Sequence, residues 1–178
     1  ELSTSLGLYE RSITAVLNAR LLPIISDLIS SVKRMLQSNG INAPLMIVKG
    51  DGSLMNEELA RRRPVETILS GPAASLIGAR SLTGLDDAVV TDVGGTTTDI
   101  GILRSGKPRL DSEGATIGGW RTRVRAADIS TSGIGGDSRI VFNNGSIALA
   151  PQRVIPLCIA ASTIPGLMDR LREARNEE

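Results

Sequence analysis

The apolar positions change their rhythm at about residue 84, from helical spacing before it to short runs and alternation after it. Residues 8–22 carry Ile13, Val16, Leu17 and Leu21 on one side and predict a helix. Pro23 predicts the start of a second helix, since proline is tolerated in a first turn. Ile24, Leu28, Ile29, Val32, Met35 and Leu36 continue at helical spacing, and Asn39-Gly40 supplies a left-handed stop. Residues 45–48 are a short apolar run that predicts a buried strand. The run leads into the Gly-rich turn Lys49-Gly50-Asp51-Gly52-Ser53, at the strand end where open α/β sheets bind ligands. A short helix over 55–61 is expected to stop at Arg61-Arg62-Arg63-Pro64. Ser70-Gly71-Pro72 is expected to open a helix over 72–82, in which Gly78 reads as a close-packing point.

Residues 87–93 predict a second apolar strand, turning at Gly94-Gly95 and returning over 96–103. Ser105-Gly106-Lys107-Pro108 marks another turn. Over 120–128, Trp120, Thr122, Val124 and Ala126 alternate with Arg121, Arg123 and Arg125, the signature of a half-exposed strand with a basic outer face. That basic face, like Arg61-Arg62-Arg63, reads as surface charge. A third Gly-rich loop covers 132–138. Residues 140–149 read as a hairpin over Asn143-Asn144-Gly145, because Asn-Gly supplies positive φ angles. A last helix carries Leu167, Met168 and Leu171, with residues 176–178 expected to fray. Together these elements predict an α/β fold, a mixed sheet with flanking helices, in one domain spanning 1–178 without an internal linker.

Composition narrows the chemistry. The 178 residues include no histidine and one cysteine, which excludes Ser-His-Asp, Cys-His and His-metal sites, an internal disulfide and a thiolate zinc site. Cys158 sits among apolar neighbours and is expected to be an inert core residue. Aromatic residues make up 2%, too few for base-stacking platforms or aromatic cages. Twenty basic against 19 acidic residues leave +1, which argues against a nucleic-acid partner. No apolar run approaches the roughly 20 residues of a membrane span, and no signal-peptide pattern opens the chain, so a cytoplasmic location off the membrane is expected. The sequence starts at Glu1 without Met, as a piece of a longer polypeptide would. What remains is chemistry by backbone amides, carboxylates, hydroxyls, Lys and Arg, with 19 glycines, a set suited to phosphate and nucleotide handling.

The sharpest signal is Asp92-Val93-Gly94-Gly95-Thr96-Thr97-Thr98-Asp99. Two glycines let the backbone approach a ligand without a Cβ clash. The amides of Gly95, Thr96 and Thr97 can face one anion, and the hydroxyls of Thr96, Thr97 and Thr98 add donors. Asp92 repels bare phosphate, so its natural role is to hold Mg²⁺, usually through water, with the metal bridging to phosphate. Asp99, on the returning strand, can orient that metal shell or the attacking nucleophile. An ordinary Gly-Gly hairpin is the competing account, but two acids bracketing three threonines favour phosphate. Ser70-Gly71 ahead of a helix is a generic anion site or a simple cap with Ser70 as acceptor. Lys49 and Asp51 meet phosphate, metal or ribose, or form a polar turn; the sequence leaves both readings open.

The same stretches resemble the hydantoinase A/5-oxoprolinase family, within the superfamily of actin, sugar-kinase and heat-shock ATPase folds. The resemblance runs in order through nearly the whole chain. It starts with Tyr9-Glu10-Arg11 and Val16-Leu17-Asn18-Ala19. Arg63-Pro64-Val65-Glu66-Thr67-Ile68-Leu69-Ser70-Gly71-Pro72-Ala73-Ala74 is close to a family signature, and residues 92–99 match its second phosphate motif. Gly133, Gly135 and Gly136 fall in its glycine-rich loop, and Gly50 and Gly52 in an earlier one. The chain departs from the family at Lys49-Gly50-Asp51-Gly52 and at Asp137, a carboxylate that would repel anions unless a cation sits beside it.

The resemblance implies a ribonuclease-H-like ATPase lobe that binds ATP and Mg²⁺. It also implies ATP-dependent hydrolysis of a small cyclic amide, such as 5-oxoproline or a hydantoin, through phosphorylation that activates the amide for water. Only one Asp-x-Gly-Gly-Thr string is present, so a first ATPase lobe, and with it a second subunit, are expected partners. A chaperone-like or reactivating ATPase, or a non-catalytic subunit-interaction lobe, are the alternatives.

Overall fold

The computed structural model describes residues 6–143 and 145–175; the expected roles of Asn144 in the turn and of 176–178 as a frayed end lie outside them. The structure is mixed α/β, made of helices and small antiparallel sheets. It divides into two compact units, Glu1–Val90 with Ile100–Ser130, and Thr91–Asp99 with Thr131–Glu178.

In the first unit, α1 (Leu8–Ser38) is a single helix of 31 residues with Pro23 inside it. The expected break at Pro23 does not occur. An internal proline costs about 3 kcal/mol, and packing on both sides of it offsets the loss. Leu17 and Leu21 pack on Val65, Ala115, Val124 and Ala126, while Ile25 lies against a core of Ile29, Met55 and Ala60. By length and composition α1 could cross a membrane, although no unbroken apolar run in the sequence announces it. Its buried positions, however, are Thr14, Asn18 and Ile29. Asn18 donates through Nδ2 to the Arg62 carbonyl at 3.2 Å and accepts from the Val65 amide at 3.2 Å, which docks this helix on the 3-10 turn that follows Arg63.

Strand β1 (Met46–Val48) pairs antiparallel with β2 (Leu54–Asn56), with Ile47 opposite Met55. It is one arm of a two-stranded hairpin, not the buried strand of an open sheet. Helix α2 (Glu57–Arg62) follows, with Asn56 capping it by accepting from the Leu59 amide at 2.9 Å. After a 3-10 turn (Pro64–Thr67), α3 (Ser70–Thr83) buries Ala73 and Leu76. A Cβ at Gly78 would meet nothing within 4 Å, so Gly78 is not the close-packing point expected of it.

Strands β3 (Ala88–Val93), β4 (Thr98–Arg104) and β5 (Lys107–Pro108) lie side by side in that order. Val89 and Val93 are exposed, so the apolar run of β3 does not mark a buried strand. Strands β6 (Thr116–Ile117) and β7 (Trp120–Arg121) form a short ladder. Beyond Arg121 the segment leaves the ladder but keeps the expected alternation, with Thr122, Val124 and Ala126 buried and Arg121 and Arg125 exposed. It is held instead by single bonds such as Ala115 N–H to the Val124 carbonyl at 3.0 Å. Trp120 departs from the pattern; it is exposed, with its ring 6.5 Å from that of Tyr9. Strand β8 (Ile129–Ser132) pairs with β4.

The second unit contains the hairpin of β9 (Ser138–Asn143) and β10 (Ser146–Arg153), with Ile140 opposite Leu149 and Phe142 opposite Ile147. Helices α4 (Leu157–Thr163) and α5 (Leu167–Arg175) follow. Cys158 is exposed on α4, as are its neighbours Leu157 and Ile159, so the expectation of a core cysteine fails. An apolar window places a residue inside only when something packs over it.

Candidate functional site

The second unit gathers the Asp92–Asp99 string and the 133–138 loop. Strand β3 ends at Val93, and Gly94 N–H donates to the Thr97 carbonyl at 2.8 Å, closing a turn from which β4 departs. Primed hairpin turns require left-handed backbone; neither Gly94 nor Gly95 adopts it. The turn joining β3 to β4 is therefore not of the primed type. A Cβ at Gly95 would meet nothing within 4 Å. Neither backbone conformation nor packing within the chain requires glycine at Gly95.

The loop packs against this turn from one side. Gly136 N–H donates to the Gly94 carbonyl at 3.0 Å, and Asp137 N–H to the Gly95 carbonyl at 2.8 Å. The Thr96 carbonyl accepts from Arg153 Nη1 at 3.3 Å. Three successive carbonyls thus point at the loop and at Arg153. In a trans peptide the N–H points opposite to its C=O, so the amides of Gly95, Thr96 and Thr97 are directed away from that contact. None of the three donates to a backbone carbonyl among the described residues. The turn is exposed along Gly94 to Thr97.

Gly135 makes the contact possible. A Cβ there would lie 2.6 Å from the Thr96 carbonyl carbon and 2.7 Å from the Gly95 carbonyl, closer than any side chain tolerates. Its amide donates to Ser138 Oγ at 2.9 Å. A Cβ at Gly133 would meet nothing within 4 Å, and one at Gly136 only ordinary contacts.

The side chains divide their roles. Thr98 Oγ1 donates to the Ile134 carbonyl at 2.6 Å, and Thr96 Oγ1 faces Asp137 Oδ2 at 3.4 Å. Two of the three threonine hydroxyls expected to face a ligand therefore bind the second loop. Asp99 Oδ1 accepts from Thr131 Oγ1, which fixes its orientation, and Asp92 is exposed. Asp137 is paired with Arg153 at 2.7 Å, the cation that its position called for. Sequence reasoning missed Arg153; it stands alone in no periodic pattern, and only the acid at Asp137 hinted at it. No group of three or more carboxylates, cysteines or histidines is close enough to hold a metal ion among the described residues. Asp92 and Asp99 are the carboxylates this string offers a cation, and Mg²⁺ commonly takes one or two from a protein.

The remaining candidates belong to the first unit. Gly50 is enclosed. Its amide donates to the Glu66 carbonyl at 2.8 Å, its carbonyl accepts from Ala127 at 2.7 Å, and a Cβ would run into the Ile68 carbonyl oxygen. Gly52 sits at φ +81, where glycine is favoured. The fold alone accounts for both glycines. Lys49 pairs with Glu66 at 3.0 Å and lies 3.6 Å from Asp51. Burial pushes the Asp51 carboxyl up, but hydrogen bonds from Ser53 and the charge of Lys49 outweigh it and hold it below the ordinary aspartate value. At Ser70-Gly71, the residue before the helix is Leu69, left-handed at φ 61; Ser70 is already the first helical residue and is not the cap acceptor.

A family model described as hydantoinase/oxoprolinase matches residues 11–155. The chain is 30% identical over 134 residues to the caprolactamase subunit alpha of Pseudomonas jessenii, covering 73% of this chain and 19% of that protein. It is 27% identical to 5-oxoprolinase 1 of Arabidopsis thaliana, covering 81% of this chain and 11% of the plant protein. Against the acetophenone carboxylase gamma subunit of Aromatoleum aromaticum, identity is 26%, over 76% of this chain and 19% of the relative. The fold is similar to part of a nucleotide-free acetone carboxylase structure, with TM-score 0.62 and 18% identity over 84% of this chain and 21% of that one. The chain therefore spans about a fifth or less of the length of these proteins.

Proposed function

The chain belongs to the hydantoinase/oxoprolinase family, and from that premise we propose that its 92–99 turn binds the phosphates of Mg·ATP within a larger ATP-dependent enzyme acting on a cyclic amide. One observation carries the reading: three consecutive amides, those of Gly95, Thr96 and Thr97, are turned outward by the bonds their carbonyls make behind them. Gly95 adds to it, as a glycine whose missing side chain serves nothing inside the chain. The names of some relatives support the substrate class and the nucleotide. Caprolactamase and 5-oxoprolinase are named for cyclic amides, and acetone carboxylase carries out an ATP-dependent carboxylation.

In this reading residues 1–178 form one ribonuclease-H-like lobe of a longer protein. Exposed Ile140, Phe142, Ile147 and Leu149 on the β9–β10 hairpin suit a part of a larger assembly. The outward amides hold phosphate oxygens, Asp92 holds the metal shell, and Asp99, fixed by Thr131, orients it. ATP would transfer its γ-phosphoryl group to the amide oxygen, with ADP leaving, which makes the amide carbon the electrophile that water attacks. Phosphoryl transfer is governed mainly by positioning and electrostatics, which suits a site built from amides and carboxylates without histidine.

Calorimetry on Asp92→Asn in the full-length protein tests the metal role. Affinity for Mg·ATP is expected to fall roughly tenfold, the scale of one charge-assisted contact, while metal-free ATP binds no worse. Equal losses with and without Mg²⁺ would refute it.

A further inference from the structure

We propose that Arg153 is a positioning residue for the 94–97 turn, holding the Thr96–Thr97 peptide by its carbonyl and so presenting the Thr97 amide. The consequence for ligand affinity rests on the phosphate reading of that turn; the positioning itself does not.

The turn's three outward amides are backed differently. Backbone donors, Gly136 and Asp137, hold the carbonyls of Gly94 and Gly95. The Thr96 carbonyl has a side chain behind it, Arg153 Nη1 at 3.3 Å. The same nitrogen donates to Asp137 Oδ1 at 2.7 Å and lies 3.2 Å from Ser138 Oγ, so its two hydrogens are shared among three acceptors. Asp137 thus aims the guanidinium, and Ser138 ties it to the Gly135 amide at 2.9 Å. Arg153 ends β10, and the next residue, Val154, donates its N–H to the Asp137 carbonyl at 2.8 Å, which fixes the base of the side chain too.

A cation bonded to a carbonyl does more than hold it. It draws electron density through the peptide and makes the N–H across that peptide a stronger donor, since linked hydrogen bonds polarise one another. The amide so affected is that of Thr97. Asp137, which by charge alone opposes an anion, instead anchors the cation that orders the turn. A lysine at position 153 would keep the charge but not the delocalised, planar guanidinium whose orientation Asp137 sets.

Amide NMR on the whole chain, comparing wild type with Arg153→Gln and Arg153→Lys and titrating each with Mg·ATP, tests the inference. In Arg153→Gln the Thr97 amide proton is expected to move upfield. Affinity for Mg·ATP is expected to fall about tenfold, the size of one hydrogen bond to a charged group, with partial recovery in Arg153→Lys. Should Arg153→Gln fail to fold, Arg153→Lys carries the comparison, with a smaller Thr97 shift expected. A Thr97 resonance left in place overturns the inference, whether or not nucleotide binds. Where the wild-type amides of the turn do respond to Mg·ATP, a shifted Thr97 resonance with unchanged affinity also overturns it, because the held amide then contributes nothing to binding. If instead the wild-type amides of Gly95, Thr96 and Thr97 ignore Mg·ATP while the Thr97 shift is present, the phosphate reading fails and the positioning role stands.

Discussion

Two glycines in the second unit have opposite reasons for lacking a side chain. Gly135 is required by the chain itself, because a Cβ there would lie 2.6 Å from a Thr96 backbone atom. Gly95 is not required, since a Cβ there would point into open space. Gly135→Ala is therefore expected to destabilise the chain by roughly 1–3 kcal/mol, the usual cost of overpacking, seen as a lowered melting temperature. Gly95→Ala is expected to leave stability within about 0.5 kcal/mol of wild type and to weaken nucleotide binding. Thermal melts and nucleotide titrations on both variants decide the matter. A Gly95→Ala chain that melts as early as Gly135→Ala would mean that Gly95 serves the fold after all.

At the scale of elements, α1 shows tertiary packing overriding a local rule. Proline at position 23 predicts a boundary, yet the helix runs through it because each half has its own core to join. The polar residue that docks the first half is Asn18, which bridges the end of α2 and the 3-10 turn through the Arg62 carbonyl and the Val65 amide. Asn18→Ala leaves the Val65 amide buried without its acceptor. A loss of about 1–3 kcal/mol is expected, measured by denaturant titration. A change below about 0.5 kcal/mol would show that water or a shifted neighbour takes over both bonds.

For the whole molecule, the prominent fact is how little of each relative the chain spans, 19% of the caprolactamase subunit and 11% of the plant oxoprolinase. The chain carries one Asp-x-Gly-Gly-Thr string and no histidine. It is expected to fold by itself, with a cooperative melt, and to show no appreciable ATP or amide hydrolysis when assayed alone. Robust turnover by the purified chain, abolished by Asp92→Ala, would place the full catalytic apparatus inside these residues and overturn the lobe assignment.

The sequence by itself determined the features that short-range sterics control. The alternation of Thr122, Val124 and Ala126 against their arginines, the hairpin of β9 and β10, and the turn after β3 were all legible, because side-chain period and turn chemistry act within a few residues. Residues 92–99 and 133–138 could be picked out as glycine-rich candidates for the same reason. Only the tertiary structure decided what those glycines are for. It separated Gly50 and Gly52, which serve the fold, from Gly95, which does not. It exposed Cys158, which an apolar neighbourhood had placed inside. It also set Arg153 behind the Thr96 carbonyl, 57 residues away in the chain. The direction of an amide depends on what holds the carbonyl across its peptide, and that partner lies far along the chain, where no local pattern records it.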